Sequence, residues 1–174
     1  MMGSGADGLD AIRVRQATDQ EMLALWGYPN ETSAPPTAQF FCRNIASGNA
    51  LFWTLDRGDA LIGELYAFLN IAEDPDFADG VTTAYLCAFR VRPEYRGQGL
   101  GHRLMDAALG DLQARGFRRA TIGVSDEHNK RLYRHMGFET KIKDCFFDPC
   151  ARTERMEPEP DEEGYWLLAK NLDD

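Results

Sequence analysis

Residues 90–105 of the chain have the sequence Arg90-Val-Arg-Pro-Glu-Tyr-Arg-Gly-Gln-Gly-Leu-Gly-His-Arg-Leu-Met105. The segment that leads into it, Thr83 to Val91, is apolar, aromatic and β-branched, so it predicts a strand. Pro93 ends that strand, because proline has no N–H to donate to a ladder. The apolar residues that follow recur at helical spacing and are Leu100, Leu104, Met105, Ala108 and Leu112. Gly116 stops this helix, so the sequence predicts a strand, a glycine-rich loop and a helix in direct succession.

The loop between this strand and this helix contains Gly97, Gly99 and Gly101. Glycines at alternate positions leave backbone N–H groups uncovered at a helix start, where the helix dipole also favours an anion such as phosphate. A Rossmann fingerprint does not fit, because His102 stands where its last glycine is required. A Walker A loop does not fit either, because Gly101-His102-Arg103 lacks its Lys-Ser/Thr ending.

The loop instead fits the pattern Arg/Gln-x-x-Gly-x-Gly, with Arg96 first and Gly101 last. With its lead-in, Val91-Arg-Pro-Glu-Tyr95, it resembles the pyrophosphate loop of the GCN5-related N-acetyltransferase (GNAT) family, which binds acetyl-coenzyme A. The resemblance implies a row of coenzyme-binding residues: Arg96, Gly97, Gln98, Gly99, Leu100, Gly101 and His102. Arg103 is a second candidate for the charge beside the pyrophosphate. On the loop alone, a glycine-rich helix start without a ligand is the alternative.

A second stretch, Asn129-Lys-Arg-Leu-Tyr-Arg-His-Met-Gly-Phe138, places Asn129, Leu132, Tyr133 and Met136 on one helix face. An amide and a phenol on an otherwise apolar face each need a hydrogen-bond partner. The stretch resembles the family's Asn-x-x-x-Tyr-x-x-x-Gly-Phe signature. The resemblance implies that Asn129 contacts the coenzyme and that the Tyr133 hydroxyl protonates the departing thiolate. A structural tyrosine with a hydrogen-bonded hydroxyl is the alternative.

The resemblance also implies the chemistry of the site. An amine attacks the thioester carbonyl directly and leaves a tetrahedral oxyanion, which needs a hydrogen-bond donor. In the family this donor is a backbone N–H of the strand before the loop, which here implies Phe89, Arg90 and Val91. The same backbone would pair with the pantetheine amides like an added strand.

The general base is less well defined by the sequence. In some branches of the family a glutamate stands on this strand, and the matching residue here is Tyr85. Glu64 is the substitute candidate, because it lies between Gly63 and Leu65 in an otherwise apolar strand. A carboxylate in such surroundings is unusual unless it is paired or functional. A solvent-facing edge position is the alternative for Glu64, and a water chain is the alternative route for the proton.

The predicted order of elements along the chain is β-α-α-β-β-β-α-β-α-β-β. This order resembles that of the GNAT family, which implies an α/β fold: a mixed, mostly antiparallel sheet flanked by helices on both faces. Residues 11–174 are expected to form one acetyltransferase domain behind a disordered, glycine-rich tail at 1–10. Acceptor specificity is expected in the loops Tyr28 to Thr37 and Asn70 to Gly80. Cys150 to Gly164 is charged, contains two prolines and is expected to be an exposed excursion.

The composition restricts the class of partner. The net charge of −9 argues against nucleic-acid binding, which needs a basic surface, and suits a cationic substrate such as an amine. Solubility alone is the alternative reason for an acidic surface. No apolar run approaches the length of a membrane span. The four cysteines and three histidines lack the spacing of a zinc site, so no metal is expected. Reduced core thiols indicate the cytoplasm.

These observations predict an N-acetyltransferase that moves acetyl from acetyl-coenzyme A to a primary amine. A small-molecule amine is favoured over a protein as acceptor, and a homodimer is left open. Two other classes remain as alternatives. A non-catalytic acyl-coenzyme A sensor would keep Arg96 to Gly101 but has no need of Tyr133, and a nucleotide-phosphate module would bind ATP as well as coenzyme A.

Overall fold

A computed structural model of the chain describes residues 8–9 and 11–173. The expected tail at 1–10 therefore falls mainly outside the described residues. Leu9 packs against the core, and its carbonyl accepts hydrogen bonds from the Ile12 N–H at 3.1 Å and from Arg103 at 3.2 Å.

The described residues form seven strands and four α-helices in the predicted order. The strands are β1 (Arg13–Gln16), β2 (Ala50–Asp56), β3 (Leu61–Phe68), β4 (Thr83–Val91), β5 (Arg119–Val124), β6 (Thr140–Arg152) and β7 (Pro158–Asn171). The helices are α1 (Asp19–Trp26), α2 (Pro36–Ser47), α3 (Leu100–Ala114) and α4 (Glu127–His135), and a short 3₁₀ helix spans Pro93–Tyr95.

All seven strands belong to one sheet in the order β1-β2-β3-β4-β5-β7-β6. Every neighbouring pair is antiparallel except β4 and β5, which are parallel. Helices α3 and α4 contribute to the apolar cluster on one face, and α1 and α2 pack on the other. The predicted fold class is therefore confirmed.

The centre of the sheet opens because β4 and β5 pair over only part of their length. Their pairing runs from Thr83 opposite Arg119 to Leu86 opposite Ile122 and then stops. On its other side β4 has a β-bulge, in which Ala88 and Phe89 oppose the single residue Leu65 of β3. Ala88 has φ = 52°, a left-handed value that is uncommon for a residue with a side chain. A bulge bends its strand, so the last part of β4 leads away from β5.

The expectation of an exposed excursion at Cys150 to Gly164 is wrong. These residues belong to a long hairpin of β6 and β7, with a turn between Arg152 and Pro158. β7 pairs with β5 only as far as Trp166, so the segment before Trp166 is paired on one side alone. Such an edge tolerates prolines and carries charged residues, which gives a strand the composition of a loop.

Candidate active site

The opening between β4 and β5 leaves one backbone edge of β4 without a strand partner. The pairing with β5 ends at Leu86, so among the described residues the Cys87–Val91 edge on that side has no ladder partner. Backbone N–H and C=O groups on such an edge can pair with an extended ligand. Two cavities lie along this edge, one at each end of the opening.

The larger cavity has a volume of about 750 Å³ and is called the glycine-loop groove. It runs between the end of β4, the loop before α3 and one face of α4. Its lining comprises Phe89, Arg90, Val91, Tyr95, Arg96, Gly97, Gly99, Leu100, Gly101, His102, His128, Asn129, Leu132, Tyr133 and Met136. The structure thus brings together the two stretches that the sequence singled out. Gln98 is exposed and is not part of this lining.

The glycines of the loop have two different structural roles. Gly97 and Gly99 have φ of 77° and 82°, a region where a Cβ would be strained. Gly99 is the N-cap of α3, and no side chain caps this helix, so the backbone N–H groups at its start can bind an anion. Gly101 has ordinary helical geometry, but a Cβ there would lie 3.3 Å from the ring of Phe89. The first two glycines shape the turn, and the third lets α3 approach β4.

The two arginines proposed for the pyrophosphate differ in position. Arg96 lies in the groove, where its Nε donates to the Val91 carbonyl at 2.9 Å. Arg103 points away from it and donates to the carbonyls of Leu9 at 3.2 Å and Ile12 at 2.8 Å. Its guanidinium binds the backbone near the start of the described residues, so of these two arginines Arg96 alone is placed to supply charge in the groove.

Asn129 and Tyr133 lie one turn apart on the face of α4 that lines the groove. Asp126 caps α4 by accepting from the Asn129 N–H at 2.8 Å, and its other oxygen accepts from the Asn129 side-chain amide at 2.9 Å. This contact holds the Asn129 side chain in one orientation. The Asn129 carbonyl oxygen Oδ1 accepts no hydrogen bond from the described residues and is available to a ligand.

Tyr133 is buried, with 8% of its surface exposed, between the rings of Phe89 and Phe138 at 6.4 Å each. Its hydroxyl makes no hydrogen bond to the described residues, so the expected partner of a structural tyrosine is missing. Burial raises the pKa of this hydroxyl to about 12, and the charge of Asp126 acts in the same direction. Tyr133 therefore keeps its proton at neutral pH and can donate it to a group bound in the glycine-loop groove.

The smaller cavity has a volume of about 320 Å³ and is called the hairpin cavity, because β6 forms one wall. Its lining comprises Trp26, Thr37, Phe41, Tyr85, Leu86, Cys87, Ala88, Phe89, Arg90, Ile122, Gly123, Tyr133, Asp148, Cys150 and Ala151. The two cavities share only Phe89, Arg90 and Tyr133. Tyr133 thus stands where the groove and the hairpin cavity meet.

Glu64 lies outside both of these cavities, and both of its carboxylate oxygens have partners among the described residues. Its Oε1 accepts from Trp26 Nε1 at 2.8 Å and from the Tyr66 hydroxyl at 2.7 Å, and its Oε2 lies 3.2 Å from Arg90 Nε. The alternative of a solvent-facing position does not hold, because only 8% of Glu64 is exposed. The carboxylate holds Trp26 and Arg90, and both of these line the hairpin cavity.

Sequence reasoning missed most of the hairpin cavity. Of the two loops expected to carry specificity, the first contributes Thr37, and Asn70 to Gly80 contributes no lining residue. Asp148 and Cys150 line the cavity, although they lie in or next to the segment expected to be an excursion. The cavity takes residues from α1, α2, β4, β5, α4 and β6, so no short motif could have predicted it. A detectable signal was Trp26, a large aromatic residue at the C-terminal end of α1.

Two absences concern the described residues only. Within 8–9 and 11–173 no group of three His, Cys, Asp or Glu side chains is arranged to hold a metal ion. Among the same residues, no helix has both the length and the apolar character needed to span a membrane.

The chain matches a family model. The model of the acetyltransferase (GNAT) family covers residues 15–138, which is more than half of the chain. The match runs from β1 to the turn after α4 and stops before the β6–β7 hairpin. A search of the curated proteins found no match.

Solved structures share the fold. An acetyltransferase of the GNAT family from Staphylococcus aureus Mu50 is 14% identical with a TM-score of 0.60, over 92% of this chain and 99% of that one. A GCN5-related N-acetyltransferase from Ralstonia eutropha JMP134 is 18% identical with a TM-score of 0.58, over 76% and 95%. The polyamine N-acetyltransferase of Drosophila melanogaster is 16% identical with a TM-score of 0.59, over 91% and 97%. At these identities the likeness shows the fold alone.

Proposed function

The chain belongs to the acetyltransferase (GNAT) family, whose co-substrate is acetyl-coenzyme A, and from this premise we propose that it acetylates a primary amine held in the hairpin cavity. The observation that carries the proposal is the position of Tyr133 in the wall that the two cavities share. A ligand in the groove and a ligand in the hairpin cavity would both reach its hydroxyl. One proton donor at the junction of two sites is what transfer from one molecule to another requires.

The residues of the groove fit the chemical parts of acetyl-coenzyme A. The N–H groups from Gly97 to Gly101 and the charge of Arg96 suit a pyrophosphate. The unpaired edge of β4 through Phe89, Arg90 and Val91 suits the two amides of a pantetheine arm. The Asn129 side chain offers a fixed carbonyl oxygen to the same ligand.

The transfer is a direct attack. The amine lone pair adds to the thioester carbonyl carbon, so the carbon–nitrogen bond forms, and collapse of the adduct breaks the carbon–sulfur bond. The carbonyl oxygen becomes negative on the way and is stabilised by a backbone N–H of the bulged part of β4. The departing thiolate takes the proton of the Tyr133 hydroxyl. The nitrogen loses one proton to a base, and return of this proton through water to the Tyr133 phenolate restores the enzyme and balances the charge over the cycle.

The residue that receives the amine proton is Glu64 in the sequence-based hypothesis. Since its carboxylate lines neither cavity, it would have to act through an intervening water molecule, and a water chain alone is the alternative. Its contacts also give it a second role, which is to position Arg90 and Trp26. The pH dependence of the rate in a Glu64→Gln variant separates these roles.

The size of the hairpin cavity supports a small acceptor over a protein one. About 320 Å³ holds a small molecule, whereas a peptide segment needs a long open groove. The Drosophila neighbour is a polyamine N-acetyltransferase that forms N-acetylagmatine, the product of acetylating a small amine.

Two further observations bear on the alternatives. A non-catalytic sensor has no need of the unbonded Tyr133 hydroxyl. All four cysteines are free, which favours the reducing cytoplasm.

A binding and a turnover measurement together test the proposal. The melting temperature is measured with acetyl-coenzyme A, coenzyme A, ATP and NAD, since a ligand at a hundredfold excess over its Kd stabilises by roughly 2.7 kcal/mol. Stabilisation by the two coenzyme A species alone is expected, and equal stabilisation by ATP would favour a nucleotide module. Free thiol is then followed with a panel of small primary amines. Binding without any amine-dependent thiol release would favour the sensor.

A further inference from the structure

The hairpin cavity contains two charged side chains, and only one of them lacks an opposite charge. Arg90 is paired with Glu64 at 3.2 Å, and its guanidinium also lies 5.8 Å from the ring of Trp26. Asp148 forms no ion pair with the described residues. The uncompensated charge in the lining is therefore negative.

The carboxylate of Asp148 is held in a fixed orientation by its own turn. Its Oδ1 accepts hydrogen bonds from the N–H groups of Cys150 at 2.9 Å and Ala151 at 3.3 Å. Its Oδ2 accepts none from the described residues. A partly buried carboxylate with one oxygen anchored and the other open is arranged to receive a donor from a ligand.

The remaining walls suit the carbon chain of an amine. Trp26, Phe41 and Tyr85 bring three aromatic rings to the lining, and aromatic faces attract alkylammonium groups. A shallower depression beyond Tyr85 and Asp148 is also bordered by Asp161, so the negative surface continues outward from the cavity. The hairpin cavity thus has a proton donor, Tyr133, at its junction with the groove and an open carboxylate on its β6 wall.

We propose that the acceptor is a small amine that carries a second positive group, and that Asp148 binds this second group while the reacting amine lies at Tyr133. The inference rests on the proposed function and makes Asp148 the residue that determines specificity. A monoamine of the same length would enter the cavity but would leave the Asp148 oxygen without a partner. Discrimination of this kind is strong where a site is built to bond a polar group that the rival lacks.

The test compares putrescine with butylamine, which has the same carbon chain and one amino group. For the unaltered enzyme, kcat/KM for putrescine is expected to exceed that for butylamine by roughly tenfold to a hundredfold, the range for a hydrogen bond to a charged group. Asp148→Asn keeps the Oδ1 acceptor for the turn and removes the charge. It is expected to abolish most of this preference by lowering the putrescine value while the butylamine value changes less than about twofold.

Asp106→Asn is the matched control, because Asp106 is an exposed carboxylate on α3 and the substitution changes the net charge equally. It is expected to leave the preference intact. Equal losses for both amines in Asp148→Asn, or no loss for either, would overturn the inference. If no amine is acetylated, the proposed function fails; calorimetric titration of both amines into the coenzyme A complex then decides the inference separately, and equal affinities would refute it.

Discussion

The glycine loop and the β6–β7 hairpin lie at the two ends of the same opening, but they are held in place by different means. The loop is shaped by its own residues, since Gly97 and Gly99 adopt left-handed backbone angles and Gly99 starts α3. The hairpin depends on contacts distant in sequence: the Arg152 N–H donates to the Thr37 hydroxyl at 3.0 Å, and its guanidinium contacts Glu73. The glycine loop forms a wall that is shaped by its own local sequence. The hairpin forms a wall that is held in place by contacts between residues distant in sequence.

The extent of the family match agrees with this difference. The match ends at residue 138, before β6 begins at Thr140. The glycine loop thus lies inside the region that the family model matches, and the hairpin lies outside it. A wall assembled from long-range contacts can change its side chains without altering the loop. This difference is compatible with the proposed function, in which the loop binds the coenzyme and the hairpin contributes to the acceptor site.

The largest expected effect is at the point where the two walls meet. Tyr133→Phe removes only the hydroxyl, so kcat is expected to fall by about a hundredfold to ten-thousandfold, the usual contribution of a general acid. Acetyl-coenzyme A affinity is expected to change little, because the ring still packs against Phe89 and Phe138. Stopped-flow or steady-state turnover measures the first quantity, and calorimetry measures the second.

Tyr95→Phe is the control for Tyr133→Phe, since Tyr95 also lines the groove and also loses a hydroxyl. Its kcat is expected to remain within about twofold of the parent value. Because the Tyr133 pKa of about 12 lies above the usual value near 10, the hydroxyl stays protonated below about pH 10. No alkaline loss of turnover from this group is expected in that range. Unchanged turnover in Tyr133→Phe would return the residue to a packing role.

The second largest effect comes from disrupting the glycine loop while leaving the hairpin intact. Gly99→Val places a branched side chain at a φ of 82° and over the backbone N–H groups of the loop. Acetyl-coenzyme A binding is expected to weaken by well over tenfold, whereas amine binding in the hairpin cavity stays unchanged. Calorimetry with each ligand makes the comparison, and circular dichroism confirms that the variant is folded.

Gly110→Val provides the matched substitution, since Gly110 lies on the same helix with open space around it and no left-handed φ. It is expected to preserve coenzyme affinity without a cost in helix propensity, because valine is a better helix former than glycine. A folded Gly99→Val with unaltered affinity would show that the loop does not bind the pyrophosphate.

The third effect comes from removing contacts that hold the β6–β7 hairpin in place. The Arg152 guanidinium, in a residue only 6% exposed, contacts Glu73, donates to the Pro149 carbonyl at 2.6 Å and lies 3.8 Å from the ring of Phe40. Arg152→Ala removes these contacts and is expected to cost about 1–3 kcal/mol of unfolding free energy. The KM for the amine is expected to rise severalfold while the Kd for acetyl-coenzyme A stays the same.

Arg155→Ala removes the same charge from the exposed turn of the hairpin and is expected to change neither quantity. Urea denaturation and steady-state kinetics provide the readouts. If Arg152→Ala weakened coenzyme binding as strongly as amine binding, the two walls would not be independent.

The smallest effect concerns Glu64, which contacts two residues of the hairpin-cavity lining, Trp26 and Arg90. Glu64→Gln keeps the shape of the side chain but removes the negative charge that faces Arg90. Because the carboxylate lines neither cavity, we expect a rate deficit of less than about tenfold at pH 7, which is smaller than the roughly hundredfold or greater contribution of a direct general base. Parallel pH–rate profiles of parent and variant are expected if Glu64 only positions Arg90 and Trp26. A deficit that shrinks as free amine accumulates at high pH would instead establish Glu64 as the base.

The same contrast explains what the sequence could predict. The order of all eleven elements follows from local signals, namely alternation, helical periodicity and glycine or proline punctuation. The glycine loop and the Asn129–Tyr133 face were found because each lies within one short segment. Their roles toward the coenzyme and acceptor remain predictions.

The rest could not be predicted because it is not local. Trp26, Thr37, Cys87 and Asp148 meet in one cavity although they come from four different elements. The hairpin was mistaken for a loop because Pro158 and its charged neighbours lie beyond the reach of β5, where an edge strand has the composition of a loop. Glu64 was recognised from the sequence as an unusual carboxylate. Its partners could not be predicted, because the three donors lie at positions 26, 66 and 90 and meet only in the folded chain.

The short parallel pairing of β4 and β5 has a consequence for the cooperativity of unfolding. It runs only from Thr83–Arg119 to Leu86–Ile122, and it joins an antiparallel set, β1 to β4, to a second set, β5, β7 and β6. Sub-global opening tends to follow boundaries of this kind, where few backbone hydrogen bonds must be broken. A coenzyme bound to both β4 and α4 would contact both sets of strands and helices, and it would therefore stabilise the folded state against opening at this boundary. Occupancy of the groove would then slow amide exchange in both sets of strands, well beyond the residues that the ligand touches.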